Sequence, residues 1–169
     1  LEAYRDEEAV SAFENSVTAF EANDGRIATD YTRAKLSRAL LALGRIDEAG
    51  VAANRALNDA RRRSTPPNSS VARVLVAYGE ISVAEGDFGA AREAASEALA
   101  IFASINETDS SWYWLARMVI ASAQHGEGDV ESARSALNEI IAGLARDNGT
   151  RSRAEHTAQL ILDGINTAP

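Results

Sequence analysis

Three short segments of this chain repeat one pattern at a fixed distance. They run from Gly44 to Ala49 (GRIDEA), Gly86 to Ala91 (GDFGAA) and Gly128 to Ala133 (GDVESA), and successive glycines lie 42 residues apart. An apolar residue follows two places after each glycine (Ile46, Phe88, Val130) and an alanine five places after (Ala49, Ala91, Ala133). Twelve places after stand Ala56, Ala98 and Ile140. A period of this size restricts the chain to repeat architectures, in which each unit hides its apolar face only against its neighbours.

Each unit reads as a helical hairpin. Helix-like apolar patterns precede the glycines (Tyr31 to Leu43, Val71 to Ala84, Trp112 to Ala123) and second amphipathic runs follow them (Ile46 to Arg62, Phe88 to Ile105, Val130 to Leu144). Glycine at the break accepts the left-handed conformation that ends a helix. Asp47, Asp87 and Asp129 favour the positive start of the next one. Alanine supplies about a fifth of the chain and aromatics only 6%. Alanines three, four and seven apart put small side chains on one helix face, so paired helices approach closely without large core residues.

The joins are polar. The stretch from Ser64 to Ser70 holds two prolines and offers a serine N-cap, the stretch from Asn106 to Ser110 caps the next helix, and Asp147 to Thr150 stops the third hairpin. In front, Glu2 to Phe20 reads as one helix with Ala9, Ala12, Phe13, Val17 and Phe20 on one side, ended by Asn23 to Gly25. At the back, Ala154, Ala158, Ile161 and Ile165 share a side, with Arg151, Arg153, Glu155, Gln159 and Asp163 elsewhere, as in a solvating end cap. No stretch alternates with period two, so no strand is expected. The expectation is a single all-α domain of about eight helices, a right-handed α-solenoid. It has a leading helix over 1–22, helix pairs over 26–63, 69–105 and 110–146, and a capping helix over 150–165.

This pattern resembles the tetratricopeptide repeat (TPR) family. The segment Gly86 to Ala91, with Phe88 and then Ala95 and Ala98, matches that family's signature around its interhelix turn, and Gly79 matches its small residue in the first helix of the pair. Leu36, Ser37 and Leu40 fill the corresponding places in the first repeat, and Ile120, Ala121 and Gln124 in the third. The leading helix looks like a second helix without its mate, with Ala9, Phe13 and Ser16 in the matching places. Three features depart from the family. The period is that of the lengthened variant found in kinesin light chains and many bacterial signalling proteins. Arg33, Leu75 and Arg117 stand where the family has its early tryptophan, and the proline that closes the second helix is missing.

The resemblance implies binding of a protein or peptide in a concave groove lined by the first helix of each pair. Carrying over the family's groove positions gives Tyr31, Ala34, Arg38 and Leu41, then Arg73, Val76, Glu80 and Val83, then Leu115, Met118, Ser122 and His125, with Trp112 one turn further back. Tyr31, Trp112 and Met118 would offer apolar pockets, and Arg38 and Arg73 would be available to a carboxylate. Against this stands a plainer reading, in which Trp112, Trp114 and Met118 pack between helices and the two arginines are solvated. The groove could serve a domain of the same parent protein. The alternatives are a homodimer formed through the open end of the solenoid and a small-ligand sensor with its pocket near Trp112.

Other chemistry finds little support. Cysteine is absent, which excludes disulfides, thiolate metal sites and cysteine nucleophiles. The histidines, His125 and His156, are not in a metal-binding spacing. The segment from Gly126 to Gly128 lacks the third glycine of a dinucleotide loop and follows no strand. No nucleotide, hydrolase or calcium motif appears, so the chain reads as a non-enzyme without metal or cofactor. Net charge is -8, which disfavours binding to a nucleic-acid backbone. The one basic run, Arg61 to Arg63, suits the negative end of a helix, with docking of an acidic partner as the functional alternative. No apolar run approaches membrane-spanning length and no stretch reads as a signal peptide, which leaves the compartment open with the cytoplasm favoured. Arginine supplies almost all of the positive charge, Lys35 being the single lysine, and this usage suggests a bacterial source. The chain opens on Leu1 and on an unmatched helix, so it reads as a segment of a longer protein.

Overall fold

The computed structural model describes residues 2–22, 26–63, 68–148 and 153–167. They form eight helices: α1 (Glu2–Ala22), α2 (Arg26–Ala42), α3 (Ile46–Arg63), α4 (Ser69–Glu85), α5 (Phe88–Ser104), α6 (Ser111–Gly126), α7 (Val130–Asn148) and α8 (Arg153–Thr167). No strand occurs among the described residues.

One turn geometry is used three times. Gly44, Gly86 and Gly128 have φ of 73°, 81° and 89°. In each case the residue after the glycine donates its N–H to a carbonyl in the preceding helix: Arg45 to Leu40, Asp87 to Ser82 and Asp129 to Gln124, at 3.0, 2.8 and 2.9 Å. This motif satisfies carbonyls that the helix end would otherwise orphan. Asn106, at φ 56°, closes α5 in the same manner, with Glu107 N–H donating to Phe102 at 2.9 Å.

The helix starts refine the sequence reading. Asp87 accepts from Ala90 N–H at 2.9 Å and Asp129 from Ser132 N–H at 3.2 Å. Asp47 instead lies in the first turn of α3. Arg45 takes the place of the other two aspartates and grips Glu48 with two bonds of 2.7 Å. The cap of α4 is Asn68, not a serine; its side chain accepts from Ser70 and Val71 N–H at 3.0 and 3.4 Å. Ser110 caps α6 by accepting from Tyr113 N–H at 3.2 Å. Helix α7 continues through Asp147 and Asn148, which were expected to stop it. The turn expected at Asn23 to Gly25, the prolines of the 64–67 stretch, and Gly149, Thr150 and Arg151 lie outside the described residues.

The packing order follows from the repeat. Helices α2, α4, α6 and α8 pack on one another in turn, whereas the backbones of α1, α3, α5 and α7 pack only against helices of that first set and meet one another through side-chain ion pairs such as Arg55–Glu21 and Arg61–Glu97. The first set is therefore the inner row of a curved array and the second set the outer row. Small residues let the rows interlock: Ala49, Ala53 and Ala56 on α3, Ala91, Ala95 and Ala98 on α5, and Ala133 on α7 are all fully buried. Gly79 belongs to the same seam, since a β-carbon there would lie 2.9 Å from Val119 and 3.3 Å from the Ala91 carbonyl. Helix α1 buries Val10, which the expected face omitted, and leaves Ala12 and Phe20 exposed; its seam is turned toward Val10, Phe13 and Val17.

Positions 34, 76, 118 and 160 are equivalent by period. Ala34, Val76 and Met118 are buried beneath the next inner helix. Leu160, over which no described helix lies, is 58% exposed.

Arginine stands at two of the three equivalent positions 33, 75 and 117, and the buried Leu75 at the other. Arg33 is 4% exposed. It pairs with Glu21 of α1, lies 2.8 Å from Asp59 of α3 and 3.7 Å from Asp30. Arg63 pairs with Asp30 and Arg62 with Asp59. Burial lifts the Asp30 carboxyl above its ordinary value despite the pull of Arg63. Burial acts on Asp59 the same way, but Arg62, Arg63 and Arg33 together outweigh it and hold that carboxyl below its ordinary value. Arg117 lies over the Trp114 ring at 5.4 Å and pairs with Glu139 at 3.0 Å.

Candidate functional site

The inner row carries the residues expected to line a groove, and the structure sorts them into three groups. Ala34 and Val76 are fully buried. They offer a partner no surface, because the neighbouring inner helix already covers that stripe; their assignment to the groove lining is corrected accordingly.

The second group is a cluster near the N-terminal ends of α2, α4 and α6. Tyr31 and Trp112 meet edge to face, with ring centroids 6.1 Å apart. Helices α2 and α6 thus touch across the start of α4. Cations fill the remaining ring faces: Lys35 and Arg73 lie 4.5 and 5.5 Å from the Tyr31 ring, and Arg38 lies 5.1 Å from Trp112. Such contacts contribute roughly 0.5–1 kcal/mol each at exposed sites and more when desolvated. Both arginines also have acidic neighbours. Arg38 forms a two-pronged pair with Glu80, with Nε donating at 2.6 Å and a terminal nitrogen at 3.1 Å. Arg73 lies 3.7 Å from Glu107, and its Nε is buried without a hydrogen-bond partner. Neither arginine is the freely solvated cation of the plainer sequence reading. Burial pushes the Glu80 carboxyl above its ordinary value, against the pull of Arg38.

The third group surrounds a hollow of about 280 Å³ further along the same helices. Leu41 of α2, Glu80, Val83 and Ala84 of α4, Leu115, Met118, Val119 and Ser122 of α6, and Thr157 and Ile161 of α8 line it. Six of these (Leu41, Glu80, Val83, Leu115, Met118 and Ser122) were legible as groove positions from the repeat. Ala84 and Val119 were missed because each lies one residue on from an expected position, Val83 and Met118, and the carried-over positions fix helix phase only to within a residue. Thr157 and Ile161 were missed because α8 was read as an end cap. Their signal was present: α8 stands where the first helix of a fourth pair would stand. The hollow is apolar apart from Glu80, which Arg38 holds at its edge, and the hydroxyls of Ser122 and Thr157. His125, the remaining expected lining residue, sits in the last turn of α6 with its Nδ1 buried and unpartnered.

Trp114 is not a groove residue. It packs against the α7 and α8 core, and a β-carbon at Gly143 would run into its indole ring. Trp112, by contrast, faces the inner row. Among the described residues, no group of three acidic or histidine side chains could hold a metal ion, and no helix is long and apolar enough to cross a membrane.

No known protein-family profile matches the chain, and no curated protein matches it in sequence. Solved structures do match its shape. A TPR-like protein from Chlorobium tepidum superposes with a TM-score of 0.65 at 17% identity, covering 85% of this chain and 98% of that one. A Podosopora anserina protein described as a putative kinesin light chain with nearly identical TPR-like repeats gives 0.64 at 19% identity, covering 95% and 77%. A form of that protein carrying one substitution gives 0.65 at 19% identity, covering 95% and 76%. The fold is a TPR-like α-solenoid, an architecture commonly used as an interaction scaffold through its concave surface.

Proposed function

We propose that this TPR-like solenoid is a non-enzymatic scaffold whose inner face receives a segment of a protein partner. The observation that carries this reading is the apolar hollow where α2, α4, α6 and α8 converge. A pocket of this size between helices suits one bulky apolar side chain. In the Tyr31–Trp112 cluster the aromatic rings and their cations already satisfy one another, so the anchor belongs in the hollow and not among the rings. Arg38 is already committed to Glu80, so no carboxylate of the partner is assigned to it.

Selection from a displayed random-peptide library, followed by calorimetry on the winners, tests this. Winning peptides are expected to share one large apolar residue. Ser122→Trp, which fills the hollow from a half-buried position, is expected to weaken their binding at least tenfold while leaving the circular dichroism melt unchanged. Peptides that bind Ser122→Trp as well as the parent protein would overturn the reading.

A further inference from the structure

The repeat register singles out one residue on the outer face. Positions 51, 93 and 135 are equivalent by period, and the latter two are Glu93 and Ser135. The first is Val51, which is 71% exposed, more than any other large hydrophobic side chain among the described residues. Val51 does not stand on open surface. With Val17, Leu36, Leu40 and Ala52 it lines a cleft of about 390 Å³. Helices α1 and α3 form the walls, joined at one end by the Glu21–Arg55 ion pair at 2.9 Å, and α2 forms the floor.

The charge around this cleft is uneven. At the mouth near the start of α3 stand Glu14, Asp47 and Glu48, with Glu7 close by. Arg45 is their cationic neighbour: it holds Glu48 at 2.7 Å and lies 3.5 Å from Glu7. Glu14 and Asp47 have no ion-pair partner among the described residues, so four carboxylates face one guanidinium. At the other mouth Arg33 and Arg55 are already matched by Glu21 and Asp59. The cleft therefore combines an apolar floor with one strongly negative end.

We propose that this outer cleft docks a basic amphipathic helix of a partner protein. An apolar stripe at helical spacing would lie along Val17, Leu36, Leu40 and Val51, and lysine or arginine on its flank would meet Glu14 and Asp47. The space between two splayed helices is the shape a third helix fills. A second copy of this chain is a poor occupant. The chain carries net charge -8, and its one basic run, Arg61 to Arg63, is already engaged by Glu97, Asp59 and Asp30. This site lies on the opposite side of α2 from the inner hollow and does not depend on it.

The probe is an 18-residue peptide of leucine and lysine, with leucines placed on one helical face, labelled for fluorescence anisotropy. Its glutamate-for-lysine counterpart is the control. The basic peptide is expected to bind and the acidic one not. Val51→Glu, which installs the residue found at position 93, is expected to weaken the basic peptide at least tenfold, and Glu14→Lys with Asp47→Lys to do the same. Val51→Glu adds negative charge, so nonspecific attraction to an acidic protein would strengthen binding; a loss is specific to the apolar cleft. Ser122→Trp is expected to leave this peptide's affinity unchanged, which separates failure here from failure of the inner-face reading. Binding unaltered by Val51→Glu, equal binding of the acidic peptide, or self-association of the free protein abolished by Val51→Glu would each overturn the proposal.

Discussion

A glycine inside a helix ordinarily weakens it by about 1 kcal/mol relative to alanine. At Gly143 that sign reverses, because the missing β-carbon is the space in which the Trp114 indole lies. Gly143→Ala is expected to destabilise the protein by about 1–3 kcal/mol, whereas Gly164→Ala, where nothing lies nearby, should stabilise it by up to ~1 kcal/mol. Urea midpoints of the two variants, which must move in opposite directions, check both. Sequence marks both glycines alike as helix-weakening; only the packing of a tryptophan from the preceding helix separates them. Glu80 gives a second test at this scale. Its folded-state carboxyl sits above the ordinary value because of burial, so the folded form takes up the proton first. The contribution of this group to stability is therefore full below the ordinary carboxylate range and is lost as pH rises through the raised value. Relative to Glu80→Gln, the parent protein is expected to gain stability as pH is lowered from about 7 to about 5. Urea unfolding of both proteins at the two pH values measures this, and the Asp30 contribution cancels in the comparison.

At the scale of the helix, the chain shows what fills a place that a repeat leaves vacant. Arg33 stands where the TPR family has a tryptophan, and it links α1, α2 and α3 through Glu21, Asp30 and Asp59. Removing one partner of a buried ionic network leaves charges without compensation, which costs about 3–5 kcal/mol. Arg33→Ala is expected to destabilise by that order, read from the urea midpoint, and to loosen α1 first. The helix boundaries themselves were largely legible, because glycine and aspartate or asparagine carry the local chemistry of an end: Gly86 and Asp87 act in the structure as they read in the sequence. Where the reading slipped, longer-range forces decided. Asp147 and Asn148 look like a stop but remain helical. The ion network around Arg33 left no periodic trace, since charged residues at those places read as a solvated face. The inner hollow was half legible for the same reason: register gave Leu41, Val83 and Met118, but not that α8 would complete the wall.

Across the described residues, each helix packs chiefly against near neighbours along the array, the Tyr31–Trp112 contact between α2 and α6 being the longer reach. Stability in such an assembly is a sum of local and nearest-neighbour contributions, so the ends open more easily than the middle. Amide hydrogen exchange is expected to be slowest in α4, α5 and α6, which share the largest core cluster, and fastest in α1 and α8. Equal protection along the chain would contradict this. The architecture was readable from the 42-residue spacing because stacking is the one way such hairpins can hide their apolar faces; the uneven outer surface was not, since it depends on which helices stand apart. One consequence runs through α2. Leu40 looks outward into one recess and Leu41, its immediate neighbour in the chain, looks inward into the other. A single helix is the shared partition of two rooms that open on opposite sides of the array, so one turn of one helix furnishes a wall to each.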